Sequence, residues 1–288
     1  MDRYEDFKEA VSSLSSQSHA DLEVVAVIDG NKELYNRLKE DGIKIDKIAL
    51  NERNLGLSQS RNRGVEEASG NIIAFFDDDA VADTNWIKEL VRMYEERDAI
   101  AAGGKLLPKW IPRKANSLPE EYYWMIGATH KGFPEEITEV RNTFGSNLSF
   151  KADVIRALNA FRNESGMKGE GLLQGAETEL CQRMRERFGK GVVYNPGAIV
   201  YHKVFPERLR MKYLLRRAFW QGYSKRVMKE RGYPLEEEEK FVRLLFAGIA
   251  GRIKAKSLVA FKQLVILVIL TSSAILGYAV KLLKSKET

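Results

Sequence analysis

Cysteine is almost absent. The one at position 181 excludes an intramolecular disulfide and any thiolate-rich zinc site. Cys181 falls in a helical pattern, so a packed thiol is expected there and not a nucleophile. The N-terminus is charged and lacks an apolar core, so no signal peptide is expected and a cytoplasmic catalytic face is the default. Internal repeats and low-complexity tracts are missing too. Acidic residues are scarce between positions 203 and 231, where only Glu207 and Glu230 stand against many lysines and arginines. A basic block of this kind suits nucleic acid, phosphate-bearing substrates or an anionic membrane surface.

What is present belongs to a folded chain. With 44% hydrophobic and 30% charged residues, the 288 positions suffice for one large domain or a domain with an appendage. Periodicity predicts a helix over residues 3–16, a strand over 22–28, a helix over 33–39 and a strand over 45–50. A helix over 57–68, a strand over 71–76 and a helix over 85–96 follow. Strands alternating with helices of about a dozen residues indicate βαβ units and an open, mostly parallel sheet flanked by helices. A strand over 99–102 should stop at Gly103-Gly104. Residues 105–141, with four prolines, read as a long connection. A strand over 143–150 and helices over 152–158 and 176–188 come next, with a glycine-rich approach over 169–175. Two short strands, 192–194 and 199–202, close the series.

The C-terminus differs in kind. Residues 264–280 form an uncharged run bounded by Lys262 and by Lys281, Lys284 and Lys286. As a helix it spans roughly 26 Å, slightly under a bilayer core of about 30 Å, and flanking lysines and Phe261 can cover the shortfall. A membrane helix over 258–284 is expected, with basic amphipathic helices over 207–257 at the interface. The other reading is a buried helix of a soluble domain. Tyr213, Phe219, Trp220 and Tyr223 among the basic residues could stack single-stranded bases, but beside this run they suit an interfacial helix gripping lipid phosphates. Nucleic acid is therefore not expected as a partner.

The most informative stretch runs from Asn71 to Asp79. An apolar strand ends in Asp77-Asp78-Asp79, and three adjacent carboxylates repel unless a cation or hydrogen-bond donors compensate. A divalent ion chelated by phosphates would do so; a solvated acidic turn is the alternative. Upstream stands Asn54-Leu55-Gly56-Leu57-Ser58-Gln59-Ser60-Arg61-Asn62-Arg63-Gly64, in which Gly56 permits a close turn, Ser58 can cap the helix and Arg61 presents a fork of donors. Downstream come Gly145-Ser146-Asn147-Leu148-Ser149-Phe150, Gly175-Ala176-Glu177-Thr178-Glu179-Leu180-Cys181-Gln182-Arg183 and Ile199-Val200-Tyr201-His202.

Taken together these segments resemble the family 2 glycosyltransferases of GT-A fold, from about Tyr4 to Gly222, with the GT-A-like domain expected over residues 1–206. The resemblance implies a metal-dependent, inverting transfer of a sugar from a nucleotide donor, UDP-linked, to a polyprenyl-phosphate-linked or other membrane-borne glycan. It implies Mn²⁺ or Mg²⁺ held by Asp77, Asp79 and His202. Donor contacts would come from Asp29, Asn54, Gly56, Arg61, Asp77, Asp78 and Asn147. Glu177 stands where the family has its base, with Glu179 as the second candidate; Ala176 replaces the family's usual glutamate. The family's first strand, which should precede the helix beginning near Tyr4, is not found, so a start upstream or a truncated form is expected. A nucleotidyltransferase of similar sheet, or a non-catalytic membrane scaffold, remains the alternative. The expected place is the cell membrane, with the catalytic domain towards the cytoplasm.

Overall fold

The computed structural model describes residues 4–111, 117–162, 175–234, 236–255 and 257–285. These divide into two units. The first takes in residues 4–107, 134–162 and 175–202; the second takes in 108–111, 117–133 and those from 203 to 285. Apart from Gly175, the glycine-rich approach lies outside the described residues, as do Pro112 and Lys286.

The first unit opens with helix α1 (Tyr4–Ser15), strand β1 (Val25–Asp29), helix α2 (Lys32–Glu40), strand β2 (Lys47–Asn51), helix α3 (Leu57–Glu67) and strand β3 (Ile72–Phe75). β1 and β2 pair in parallel, with Asp29 opposite Asn51, as a βαβ unit requires. There follow β4 (Ala80–Ala82), α4 (Trp86–Glu96), β5 (Ala101–Trp110), β6 (Thr138–Val140), β7 (Leu148–Lys151), α5 (Ala152–Ala157), α6 (Ala176–Phe188) and β8 (Val192–Val204). A larger sheet runs in the order β3-β7-β5-β8-β4, with β6 added on β8. In it the pairs β3–β7, β5–β7, β4–β8 and β6–β8 are antiparallel. The class is α/β.

Side chains alternate across a strand, so neighbouring residues serve different layers. Phe75 and Ala101 join Phe150, Leu180 and Met184 in one cluster. Ala74, Phe76 and Ala102 belong to another, built around Trp86, Leu90, Met93 and Val200. Cys181 is buried in the first cluster, and burial pushes its thiol up, as a packed side chain requires.

Two expectations need correction. The Gly103-Gly104 pair does not end a strand; β5 runs through it. A Cβ at Gly104 would collide with the Ala198 carbonyl, so glycine marks a close backbone approach within the sheet. The two short strands expected near the end are one, β8, passing through Asn195-Pro196-Gly197. There Asn195 Oδ1 accepts the Gly197 N–H at 2.9 Å while its Nδ2 donates to Glu89 Oε2 at 2.9 Å. The side chain thus supplies partners that a turn would otherwise seek.

The second unit contains a 3₁₀ helix (Glu120–Ile126) within the supposed long connection, then α7 (Met211–Glu230), α8 (Glu236–Ala255) and α9 (Leu258–Lys284). Tyr122, Met125, Ile126, Leu214, Leu267 and Leu270 pack together. Glu121 is fully buried and accepts both arms of Arg252, at 2.9 and 2.7 Å. Burial alone would raise the Glu121 carboxyl, but the Arg252 fork holds it below the usual carboxylate value. Helix α9 is about 40 Å long at 1.5 Å per residue, enough in length and composition to cross a bilayer. Its apolar side chains are not enclosed as in a soluble core: Phe261 is 63% and Ile275 64% exposed.

Candidate active site

Asp29 closes β1. Its Oδ1 accepts the Leu55 N–H at 2.9 Å and Asn51 Nδ2 at 3.0 Å; Oδ2 accepts the Gly56 N–H at 2.8 Å. Burial raises this carboxyl, and the donors, led by the Leu55 N–H, bring it below the ordinary value. Asp29 therefore holds the entry to α3. Ser58, expected to cap that helix, is buried inside its first turn; Gly56 occupies the cap position. Asn54 lies exposed on the loop.

Arg61, one turn into α3, ties three motifs together. One guanidinium nitrogen donates to Glu177 Oε1 at 2.8 Å and the other to Asp77 Oδ1 at 3.2 Å. Its plane lies near the rings of Phe75 and Phe161. Burial would weaken its hold on the proton, but Glu177 and then Asp77 more than compensate and raise its pKa further. Gly145 makes this possible: a Cβ there would strike both Arg61 and Glu177. Neighbouring Asn62 exchanges two hydrogen bonds with the Phe161 backbone, at 2.8 and 2.9 Å, fixing that ring beside Arg61. The roles of Gly145 and Phe161 were not read from the sequence. Gly145 stood in a quoted motif, whereas nothing local marks Phe161.

Asp77, Asp78 and Asp79 link β3 to β4. Ala80 pairs with His202 across β4–β8, which sets the preceding Asp79 against the imidazole, Oδ1 to Nε2 3.2 Å. Asp79 and His202 are buried; Asp77 is half-buried and Asp78 exposed. One ligand atom from each of Asp77, Asp79 and His202 lies within 4.8 Å of the others. Two carboxylate oxygens and an imidazole nitrogen form a donor set that fits a divalent cation, and a cation would compensate the buried negative charge.

The two carboxylates in the first turn of α6 have different surroundings. Glu177, in the first turn, keeps a quarter of its side chain exposed beside Arg61. Glu179 is buried with both oxygens on Arg183, at 2.7 and 3.0 Å, and Arg183 also donates to the Leu158 and Ala160 carbonyls. Glu179 is thereby committed to joining α6 to the end of α5. Asn147 corrects the expectation of a sugar contact. It has no exposed surface, its Oδ1 accepts Trp86 Nε1 at 2.8 Å, and its Nδ2 donates to the Lys105 and Ala198 carbonyls at 3.1 and 2.8 Å. It is a strut beneath the site.

Comparison with known proteins gives concordant results. The family model described as "Glycosyl transferase family 2" matches residues 2–158. A glucosyl-dolichyl phosphate glucuronosyltransferase of Haloferax volcanii is 41% identical, covering 98% of this chain and 93% of that one. Among solved structures, the mannosyltransferase PcManGT of Pyrobaculum calidifontis, in complex with GDP-Man and Mn²⁺, superposes with a TM-score of 0.57 at 17% identity, over 98% of this chain and 84% of that one. S. aureus TarS 1-349 in complex with UDP gives 0.51 at 13% identity, over 99% and 89%. These structures share the fold, which is the GT-A-like architecture expected from the motifs.

Proposed function

Because this chain belongs to glycosyl transferase family 2, we propose that it transfers a sugar from a nucleotide-linked donor, UDP-linked, to a polyprenyl-phosphate-linked glycan at the membrane, with inversion at the anomeric carbon. The observation that carries this reading is a single cluster. Asp77, Asp79 and His202 converge on one point, and Arg61 bridges the same Asp77 to Glu177.

Mn²⁺ or Mg²⁺ held by Asp77, Asp79 and His202 would neutralise the charge developing on the leaving diphosphate. The chain's own residues do the rest. Asp77, on the exposed side of the cluster, meets the donor's sugar and ribose, and Asn54, Gly56 and Asp78 border the nucleotide. Asp29 shapes that border by fixing the backbone at Leu55 and Gly56. Glu177 accepts the proton of the acceptor hydroxyl as its oxygen bonds to the anomeric carbon. The bond from that carbon to the diphosphate oxygen breaks, and nucleoside diphosphate leaves. Arg61 orients Glu177 through the hydrogen bond to its Oε1. Of Glu177 and Glu179, the candidates in the first turn of α6, only Glu177 has the exposure this requires. The domain of residues 1–206 carries this chemistry, and residues 207–284 hold it at the cell membrane with the site towards the cytoplasm.

The test is product analysis with a panel of nucleotide sugars and polyprenyl-phosphate glycans, with Mn²⁺, with Mg²⁺ and with EDTA. Metal-dependent release of nucleoside diphosphate and a glycan of inverted anomeric configuration are expected, both abolished in Asp79→Ala. Release of pyrophosphate would identify a nucleotidyltransferase and overturn the proposal.

A further inference from the structure

Helix α9 is long enough to cross a bilayer, yet one side of it is fastened to its own unit from end to end. Near its start Arg252 of α8 donates to Gln263 Oε1 at 3.1 Å. At its middle Thr271 bonds the Tyr122 hydroxyl at 2.7 Å, and Ser273 donates to the Leu215 carbonyl at 3.0 Å. At its end Lys281 pairs with Glu230 at 2.9 Å. Between these points the α7 and α9 backbones touch: a Cβ at Gly222 would strike the Ala274 carbonyl, and one at Gly277 the Phe219 carbonyl. From Leu215 against Ser273 to Glu230 against Lys281 the outer contacts advance in the same direction along both helices, so α7 flanks the C-terminal half of α9.

That neighbour decides the geometry. Helix α7 carries Arg216, Arg217, Lys225, Arg226, Lys229 and Glu230. If α9 passed through the hydrocarbon core, this charged helix would have to enter with it, which is costly for each charge left without water. The side of α9 turned away from the protein has no such obstacle. Phe261, Val265, Val268, Ile269, Ile275 and Leu276 are exposed at helical spacing, and on α8 Phe246 and Ile253 are exposed as well. Between α8 and α9 an open recess of about 530 Å³ is lined by Ile253, Leu258, Phe261 and Leu264 beside Arg252. The charge is one-sided too. From Phe241 to Ser285 the sequence has no acidic residue, while Arg243, Lys254, Lys262 and Lys284 stand exposed.

We propose that α9 lies along an anionic lipid bilayer and not across it, sinking its apolar side into one leaflet while the basic residues meet lipid phosphates. Helix α9 is itself apolar all round, and it is α7 beside it that supplies the polar side, so the pair together presents the apolar face and basic margin that surface binding uses. The recess beside Arg252 then receives part of an acyl chain. Failure of this seating would leave the donor-site proposal standing, because that site uses residues of the first unit alone.

The decisive experiment places one thiol on either side of α9 in the full chain, as Lys254→Cys in the last turn of α8, just ahead of α9, and Lys284→Cys at the end of α9, in separate variants. Native Cys181 is buried and gives little background. A membrane-impermeant maleimide is applied to intact cells and to inverted membrane vesicles, with total thiol measured after detergent lysis. Both positions should stay unlabelled in intact cells and react in inverted vesicles. Labelling of one position from outside the cell while the other stays protected would show a span and overturn the proposal. In a companion measurement, purified protein should bind phosphatidylglycerol vesicles at least tenfold more tightly than phosphatidylcholine vesicles. The Val268→Glu/Ile269→Glu variant, with its melting temperature recorded as a check on folding, should lose that binding. Equal binding to both vesicles, or a soluble dimer that binds neither, would contradict it.

Discussion

At the scale of residues, the site separates groups that the sequence leaves alike. Glu177 and Glu179 are two positions apart in one helical turn, both acidic, both compatible with a base. The structure gives one an opening and an arginine from another motif, and gives the other a buried salt bridge. Glu179→Gln should therefore act on folding: breaking a buried pair costs about 3–5 kcal/mol, read as a lower melting temperature with little change in kcat for the folded fraction. Asn147→Ala should do likewise. It leaves the Trp86 indole N–H without its buried acceptor, at about 1–3 kcal/mol, while the donor KM stays near the wild-type value. His202→Ala should raise the Mn²⁺ concentration needed for half-maximal turnover by tenfold or more, without a matching loss at saturating metal; an unchanged requirement would remove His202 from the metal site. Asp77, Asp79, Arg61, Glu177 and His202 were all legible as candidates, because charged groups in fixed spacing carry meaning before their neighbours are known. Asn147 was not. An amide's identity says nothing about whether its hydrogen bonds are already spent inside the fold.

At the scale of elements, periodicity served the helices well. α3, α4 and α6 fall within a residue or so of where their apolar spacing and their glycine and asparagine starts put them. The strands were harder, for a physical reason. Gly103-Gly104 and Asn195-Pro196-Gly197 are turn-forming by local preference, and tertiary contacts override that preference in both places. β4, three residues long, has no period to read; its pairing with β8 nonetheless sets Asp79 beside His202. The backbone contact at Gly104 gives a direct check. Gly104→Val should overpack β5 against Ala198 and cost at least about 1–3 kcal/mol in denaturant unfolding. A neutral result would mean that the strand can move aside.

At the scale of the molecule, the chain combines a unit that holds the Asp77, Asp79 and His202 cluster with one whose helices offer an apolar, basic surface. The buried Glu121–Arg252 pair ties the 3₁₀ helix to α8 inside that second unit. Because the folded-state pKa of Glu121 lies below its unfolded value, the pair's contribution is present above the unfolded pKa of about 4.3 and is lost as pH falls through the folded value. Glu121→Gln should accordingly lower the melting temperature at neutral pH and narrow the gap to wild type under acid conditions. A gap that widened in acid would contradict the assignment.

The central claim is that Glu177 takes a proton at a site where metal and donor are held by other residues. Donor affinity in Mn²⁺ and single-turnover rate, measured together on wild type and Glu177→Gln, test it most directly. The predicted result is a rate lower by roughly 10²–10⁴ with donor Kd changed by no more than a few fold. A rate within a few fold of wild type would contradict it.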